Sequence, residues 1–166
     1  MAKSENIQNI KTENTNLTDT WDNKALIISG TIHTAELLER AGNKLLFKLG
    51  ELIGTQVQMY QEKPRQLPAE MPFAHLQERK ITFDIPPGYD IKNLDDIKID
   101  VQYKKDNVVV MGFVSSYKVV GNVLEVNVVE TYRHLKYPLT EFETFRKVIN
   151  SSADFNKIVL VLEKKR

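Results

Sequence analysis

Cysteine is absent from this chain of 166 residues. That one absence removes disulfides, thiolate metal sites and any cysteine nucleophile, while leaving the redox compartment open. No apolar run approaches the ~20 residues that a membrane-spanning helix needs, so no membrane span is expected. An excess of either charge sign is also missing: 23 Lys and Arg stand against 22 Asp and Glu, for a formal net charge of +1. A nucleic-acid binder usually carries a basic patch or stripe. Here Lys and Glu are interspersed, which describes a mixed solvated surface and no nucleic-acid partner. The N-terminal Met-Ala-Lys-Ser-Glu-Asn has no apolar stretch of the signal-peptide kind. An excised domain with an initiator Met would begin this way, and so would a cytoplasmic protein.

Reactive constellations are missing too. There is no GxSxG elbow, no GxGxxG or P-loop, and no HxH or HExxH pair to place two imidazoles on one metal. His33, His75 and His134 stand alone in sequence. Ser115-Ser116 fall on an expected strand, as surface or cross-strand hydrogen-bonding groups, and Ser151-Ser152 at an expected helix end. Asp84, Asp90, Asp95, Asp96 and Asp100 lack the alternate-position register and turn glycine of a calcium loop. No catalytic, cofactor-binding or metal-binding residue is therefore assigned, and no enzyme is expected. Tyr103, Phe113, Tyr117, Tyr132 and Tyr137 could form a sugar-stacking platform. Aromatic residues pair across strands in any case, which is the stronger reading.

What is present is a chain long enough for one domain with a proper core. Residues 1–23, rich in Asn, Thr, Lys and Glu, read as a flexible lead-in. Ile7 and Ile10 could make a short edge strand there, and Trp21 a contact with the body. Residues 24–166 read as a single β-rich domain. Ala25 to Thr34, with Leu26, Ile27, Ile28 and Ile32 among Ser and Thr, suits a strand. Leu45 to Leu49 follows a turn at Ala41-Gly42-Asn43, while Glu36 to Arg40 fits either extended chain or one helical turn. Leu49, Leu52, Ile53, Val57 and Tyr60 match a helical face, giving a candidate short helix near 50–60 that Gly50 and Gly54 oppose. Pro64, Pro68 and Pro72 recur every four residues and describe an extended crossing loop.

Alternation is clearest in the centre. Ile81, Phe83 and Ile85 share one side of a strand over Leu76–Ile85. Ile97–Tyr103, Val108–Val119 and Val123–Tyr132 are separated by turns at Lys105-Asp106-Asn107 and Gly121-Asn122. Three hairpin-connected strands with one wet face describe an antiparallel sheet, in a sandwich or half-open arrangement. At the C-terminal end Thr140 and Glu143 have capping-box spacing, and Phe142, Phe145, Val148 and Ile149 share a helical face. Ser151-Ser152 weaken that helix, placing it at about 140–152, and Ile158 to Leu162 supplies a final strand at about 157–163. The strand is expected to join the sheet and the helix to cover a face or edge. The fold class is thus mainly β, sandwich-like, with one C-terminal helix.

The order of these features carries a resemblance. Leu45-Leu46-Phe47-Lys48-Leu49-Gly50-Glu51-Leu52-Ile53-Gly54, Arg65 to Pro68, Ile85-Pro86-Pro87-Gly88-Tyr89, the strand triplet and Tyr137-Pro138 through Phe155-Asn156-Lys157-Ile158-Val159-Leu160 together resemble one family. It is the C-terminal β-rich domain of unknown function in large bacterial transglutaminase-like proteins, and the likeness spans about residues 24–164. In that family a β-sandwich and a papain-like transglutaminase core precede the domain, and the catalytic Cys, His and Asp lie in the core. None of them is matched here. The resemblance implies a non-catalytic accessory module beside an upstream transglutaminase-like domain of the same polypeptide, periplasmic or cell-envelope in the full-length protein. The alternative is a glycan- or peptide-binding β-sandwich module of the cell envelope that uses exposed aromatic residues.

Overall fold

A computed structural model describes residues 11–18 (backbone only), 26–33, 35–61 and 63–165. It is mainly β in antiparallel sheets with one C-terminal α-helix. Ile7, Ile10 and Trp21 lie outside the described residues.

The largest sheet has four strands, β6 (His75–Asp84), β8 (Ile99–Lys105), β9 (Val108–Val120) and β10 (Val123–Tyr132), in the order β6-β10-β9-β8. The three hairpin-connected strands form as their alternation predicts. Asp106 and Asn107 take φ of 49° and 63°, and Gly121 takes 61°, which are the left-handed conformations a tight hairpin turn demands. Leu124, Val126 and Val128 are fully buried on one face, while Lys80, Asn127 and Lys118 are exposed on the other. A bulge between Tyr103 and Lys104 of β8 shifts the register against β9. It lets consecutive Val110 and Met111 both enter the core.

A second four-stranded sheet joins β3 (Leu38–Ala41), β4 (Lys44–Phe47), β7 (Tyr89–Ile91) and β12 (Leu160–Lys164), in the order β3-β4-β12-β7. The chain before the Gly42 turn is therefore strand from Leu38 on. Extended backbone wins over a helical turn because Leu38 to Ala41 pairs residue for residue with β4. Phe47 of this sheet stacks on Phe83 of the larger one, with centroids 4.0 Å apart. The single helix, α1 (Phe142–Asn156), covers the rest of the same face. Its Phe155 meets Phe113 of β9, and its Phe145 meets Tyr132 of β10. Helix and small sheet thus lie side by side over one face, and the core is the layer between.

Four boundaries differ from expectation. The Thr140–Glu143 capping box does not form. A 3-10 turn (Leu139–Glu141) leads into α1, so Glu141 N donates to Pro138 O and no side chain caps the helix. Glu143 instead pairs with Arg146. The helix also runs through Ser151-Ser152 to Asn156 rather than stopping near 152. Both hydroxyls donate back into it, Ser151 Oγ to Lys147 O and Ser152 Oγ to Ile149 O. This satisfies them locally while Ala153 and Phe155 carry on the buried face. The final strand accordingly begins at Leu160 rather than 157. The short helix near 50–60 is one 3-10 turn (Leu49–Ile53), closed at Gly54 with φ 80°. Beyond it Val57 and Tyr60 are exposed, so they belong to no helical face.

A further strand falls within the expected lead-in, residues 1–23. β1 (Lys11–Thr18) pairs antiparallel with β2 (Ile27–His33) in a two-stranded ribbon of its own. A last small pair joins β5 (Ala69–Glu70) to β11 (Lys136–Tyr137).

Candidate functional site

The apolar strand around Leu26–Ile32 does not enter the core. Every residue of β2 is exposed, and Leu26, Ile27, Ile28 and Ile32 stand at 62, 57, 63 and 44% exposure. Neighbouring strand residues face opposite sides, so with Ile27 and Ile28 both bare the ribbon offers apolar surface on two faces. No charged side chain interrupts Ile27–His33. An isolated two-stranded ribbon is marginal in water, and contiguous apolar exposure marks interaction surface.

The edge strand β6 is built differently. Register places Gln77 beside Glu130, and Arg79 beside Val128, on the core-facing side of the sheet. Arg79 Nη1 reaches Glu130 Oε2 at 3.2 Å, and Glu130 is only 7% exposed. Inward charges of this kind, together with Glu78 and Lys80 outside, blunt an edge against strand addition. Next to this pair, Tyr132 is fully buried and its hydroxyl has no hydrogen-bond partner among the described residues. Burial, reinforced by the Glu130 carboxylate, pushes its pKa far upward, so it stays protonated. A shallow cleft of about 280 Å³ opens beside it, lined by Ala74, His75, Leu76, Tyr132 and Arg133. Its groups do not converge. The acidic charge is already held by Arg79, while Arg133 lines the mouth with the opposite sign.

The singled-out sequence residues scatter. His33 lies in β2, and His134 sits against Tyr137, rings 6.0 Å apart. His75 Nδ1 is 3.1 Å from Phe73 O, its ring tilted between Phe73 and Tyr132. Ser115 is buried and bridges strands, donating to Ile97 O and accepting from Ile99 N; Ser116 is exposed. The aspartates are dispersed as well: Asp95 pairs with Lys98 at 2.8 Å and Asp90 with Lys165 at 3.4 Å. The Lys98 ammonium holds the Asp95 carboxyl below its ordinary range. Among the described residues, no three His, Cys, Asp or Glu side chains gather to hold a metal, and no helix is long and apolar enough to cross a membrane. Of the aromatic set, Phe113, Tyr132 and Tyr137 are fully buried and Tyr103 and Tyr117 half-buried. They are packing residues and form no exposed platform.

Three asparagines do work that sequence spacing did not reveal. Asn156 Nδ2 donates to both Gly50 O and Gly54 O at 2.9 Å. Asn150 pairs with the Met59 backbone through both ends of its carboxamide, at 2.7 and 3.2 Å. Asn93 accepts from Val161 N and donates to Val159 O beside β12. The first two pin residues 54–61 as a strap running antiparallel along α1, and Arg65 lies 4.9 Å over the Phe142 ring further along the same helix. Gly50 is what lets this end close, since a Cβ there would stand 2.3 Å from Phe155 O. The Asn150 and Asn156 bonds join residues 91 to 106 positions apart, which no local pattern encodes.

No protein-family model matches the chain, and no curated protein or solved structure matches it either.

Proposed function

We propose that this chain is a non-catalytic accessory module that packs against a transglutaminase-like core within a larger bacterial protein of the cell envelope, with the β1–β2 ribbon as its docking element. The observation that carries the reading is the ribbon's exposure: four large aliphatic side chains, uninterrupted by charge, on an element too small to be stable by itself. The family resemblance supplies the identity of the neighbour. A core that precedes the chain in one polypeptide would meet the ribbon first. His75, Ser115 and Asp95 are occupied in local structural contacts, in keeping with a module that contributes surface and not chemistry.

Titrating the chain into the separately purified transglutaminase-like core of the same reading frame tests this. Binding that disappears on Ile28→Lys is the expected result. A reading frame without such a core, or hydrolysis or cross-linking of a peptide by the chain alone, overturns it.

A further inference from the structure

The span Gly54–Gln61 (Gly-Thr-Gln-Val-Gln-Met-Tyr-Gln) contains no charged residue, in a chain of which 27% is charged. It is the strap pinned along α1, and Tyr60 on it is 84% exposed. An aromatic ring so exposed usually swings on a loose loop. This one follows Met59, whose N–H and C=O are both held by Asn150, and Met59 itself packs against the core. Gln58 is exposed beside it, its carboxamide oxygen 3.2 Å from Lys157 Nζ. The charge of Lys157 is in turn balanced by Asp154 at 3.3 Å. Gln56 and Gln61 are half-buried on the same strap and Gln66 is exposed further along.

We propose that this strap is a binding site for a neutral oligosaccharide, with the Tyr60 ring stacking on the C–H face of a sugar and the Gln58 carboxamide nitrogen and Gln61 carboxamide oxygen bonding its hydroxyls, the other end of each group being taken by Lys157 Nζ and by Lys63 O. The chemistry fits term by term. A tyrosine ring offers a broad apolar face with little rotamer entropy to lose. The Gln58 nitrogen carries two N–H donors and the Gln61 oxygen accepts, so the pair offers both halves of a hydrogen bond to sugar hydroxyls. The strap itself carries no charge over Gly54–Gln61, and the Lys157 ammonium beside it is balanced by Asp154, so the segment offers little to an ionic ligand. Backbone pinning by Asn150 supplies the preorganisation that weak, open sites depend on. The site is independent of the ribbon and of the accessory reading, so either stands if the other fails.

Native gel electrophoresis through embedded glycol chitin, mixed-linkage β-glucan and galactomannan tests the site. Retardation by at least one of the three is expected, weakened about fivefold or more by Tyr60→Ala and kept by Tyr60→Phe and by the ribbon variant Ile28→Lys. Thermal melting of Tyr60→Ala should match the parent, since the side chain is exposed. Failure of all three glycans to retard the chain overturns the proposal. So does retardation that survives Tyr60→Ala, or strap-dependent retardation by a gel containing casein instead, which would assign the strap to polypeptide partners.

Discussion

Strands β6 and β2 each have one edge without a partner strand among the described residues, yet their side chains are opposite in kind. On β6, Gln77 and Arg79 face the core side, Arg79 is tied to Glu130, and Glu78 and Lys80 face water. On β2, Ile27, Ile28 and Ile32 stand exposed with no charge between them. An edge meant to remain bare needs charge to refuse a passing strand; an edge meant to be covered does better without it. By that contrast β6 carries the side chains that refuse an added strand, and β2 carries none of them. The same contrast separates what holds the molecule together from what it shows to others. The body closes on buried aromatic contacts and asparagine pins, whereas nothing described buries the ribbon's isoleucines.

If that division is right, changes in the body should cost stability and changes in the ribbon should cost only binding. The largest effect is expected at the seam between α1 and the sheets. Phe155→Ala, removing a fully buried ring beside Phe113, should destabilise by about 3–5 kcal/mol in urea unfolding. Gly50→Ala should approach that, because backbone carbonyls and no yielding side chain occupy the space. A loss below about 1 kcal/mol in either would mean that the strap end is not closed on the helix as described.

Next comes the guard on β6. Arg79→Ala strands the nearly buried Glu130 carboxylate and should cost about 1–3 kcal/mol, whereas the double variant Arg79→Ala with Glu130→Ala should recover part of that loss. Arg79→Val with Glu130→Val also strips the guard, and a rise in concentration-dependent association by light scattering should follow; unchanged monodispersity would break the comparison. Ile28→Lys in the ribbon should shift unfolding of the body by no more than about 0.5 kcal/mol, so a large loss there would show the ribbon to be part of the core.

The smallest effect is electrostatic. Glu125 on the wet face lies between Lys80, an ion pair on Oε2, and Lys118, 2.9 Å from Oε1. The hydrogen bond to Lys80, then that to Lys118, holds its carboxyl below the ordinary glutamate value. Its contribution is therefore present above that ordinary value and lost as pH falls through the lowered one. Glu125→Gln should flatten the stability profile slightly between pH 5 and 3, by about the small amount typical of exposed pairs, and added salt should shrink the difference further.

Much of the β body was legible because its face alternation is strict. Val123–Tyr132 appears as a strand with the expected bounds, and Asp106, Asn107 and Gly121 turn where residues tolerant of positive φ predict. The helix was legible as a face but not at its ends. A capping box names residues at the right spacing, yet whether a 3-10 turn precedes them depends on how Pro138 enters. The serines that should weaken α1 are accommodated because their hydroxyls find carbonyls one turn back. Less could be read of the candidate sites. Periodicity identifies β2 as a strand but does not say whether anything covers it. Tyr60 reads as one point on a helical face until Gly54 ends the turn and Asn150 holds the chain extended. The buried tyrosines, which looked most like a ligand platform, are core.

Hydrogen exchange on the ribbon tests the central claim most directly. In the isolated chain the amides of Ile27–His33 should exchange fast while those of β9 and β10 are protected. On adding the transglutaminase-like core that we propose as its neighbour, ribbon protection should rise by about a hundredfold or more, as in a segment newly buried at an interface, with β6 unchanged. Protection appearing along β6 while the ribbon stays fast would contradict the account.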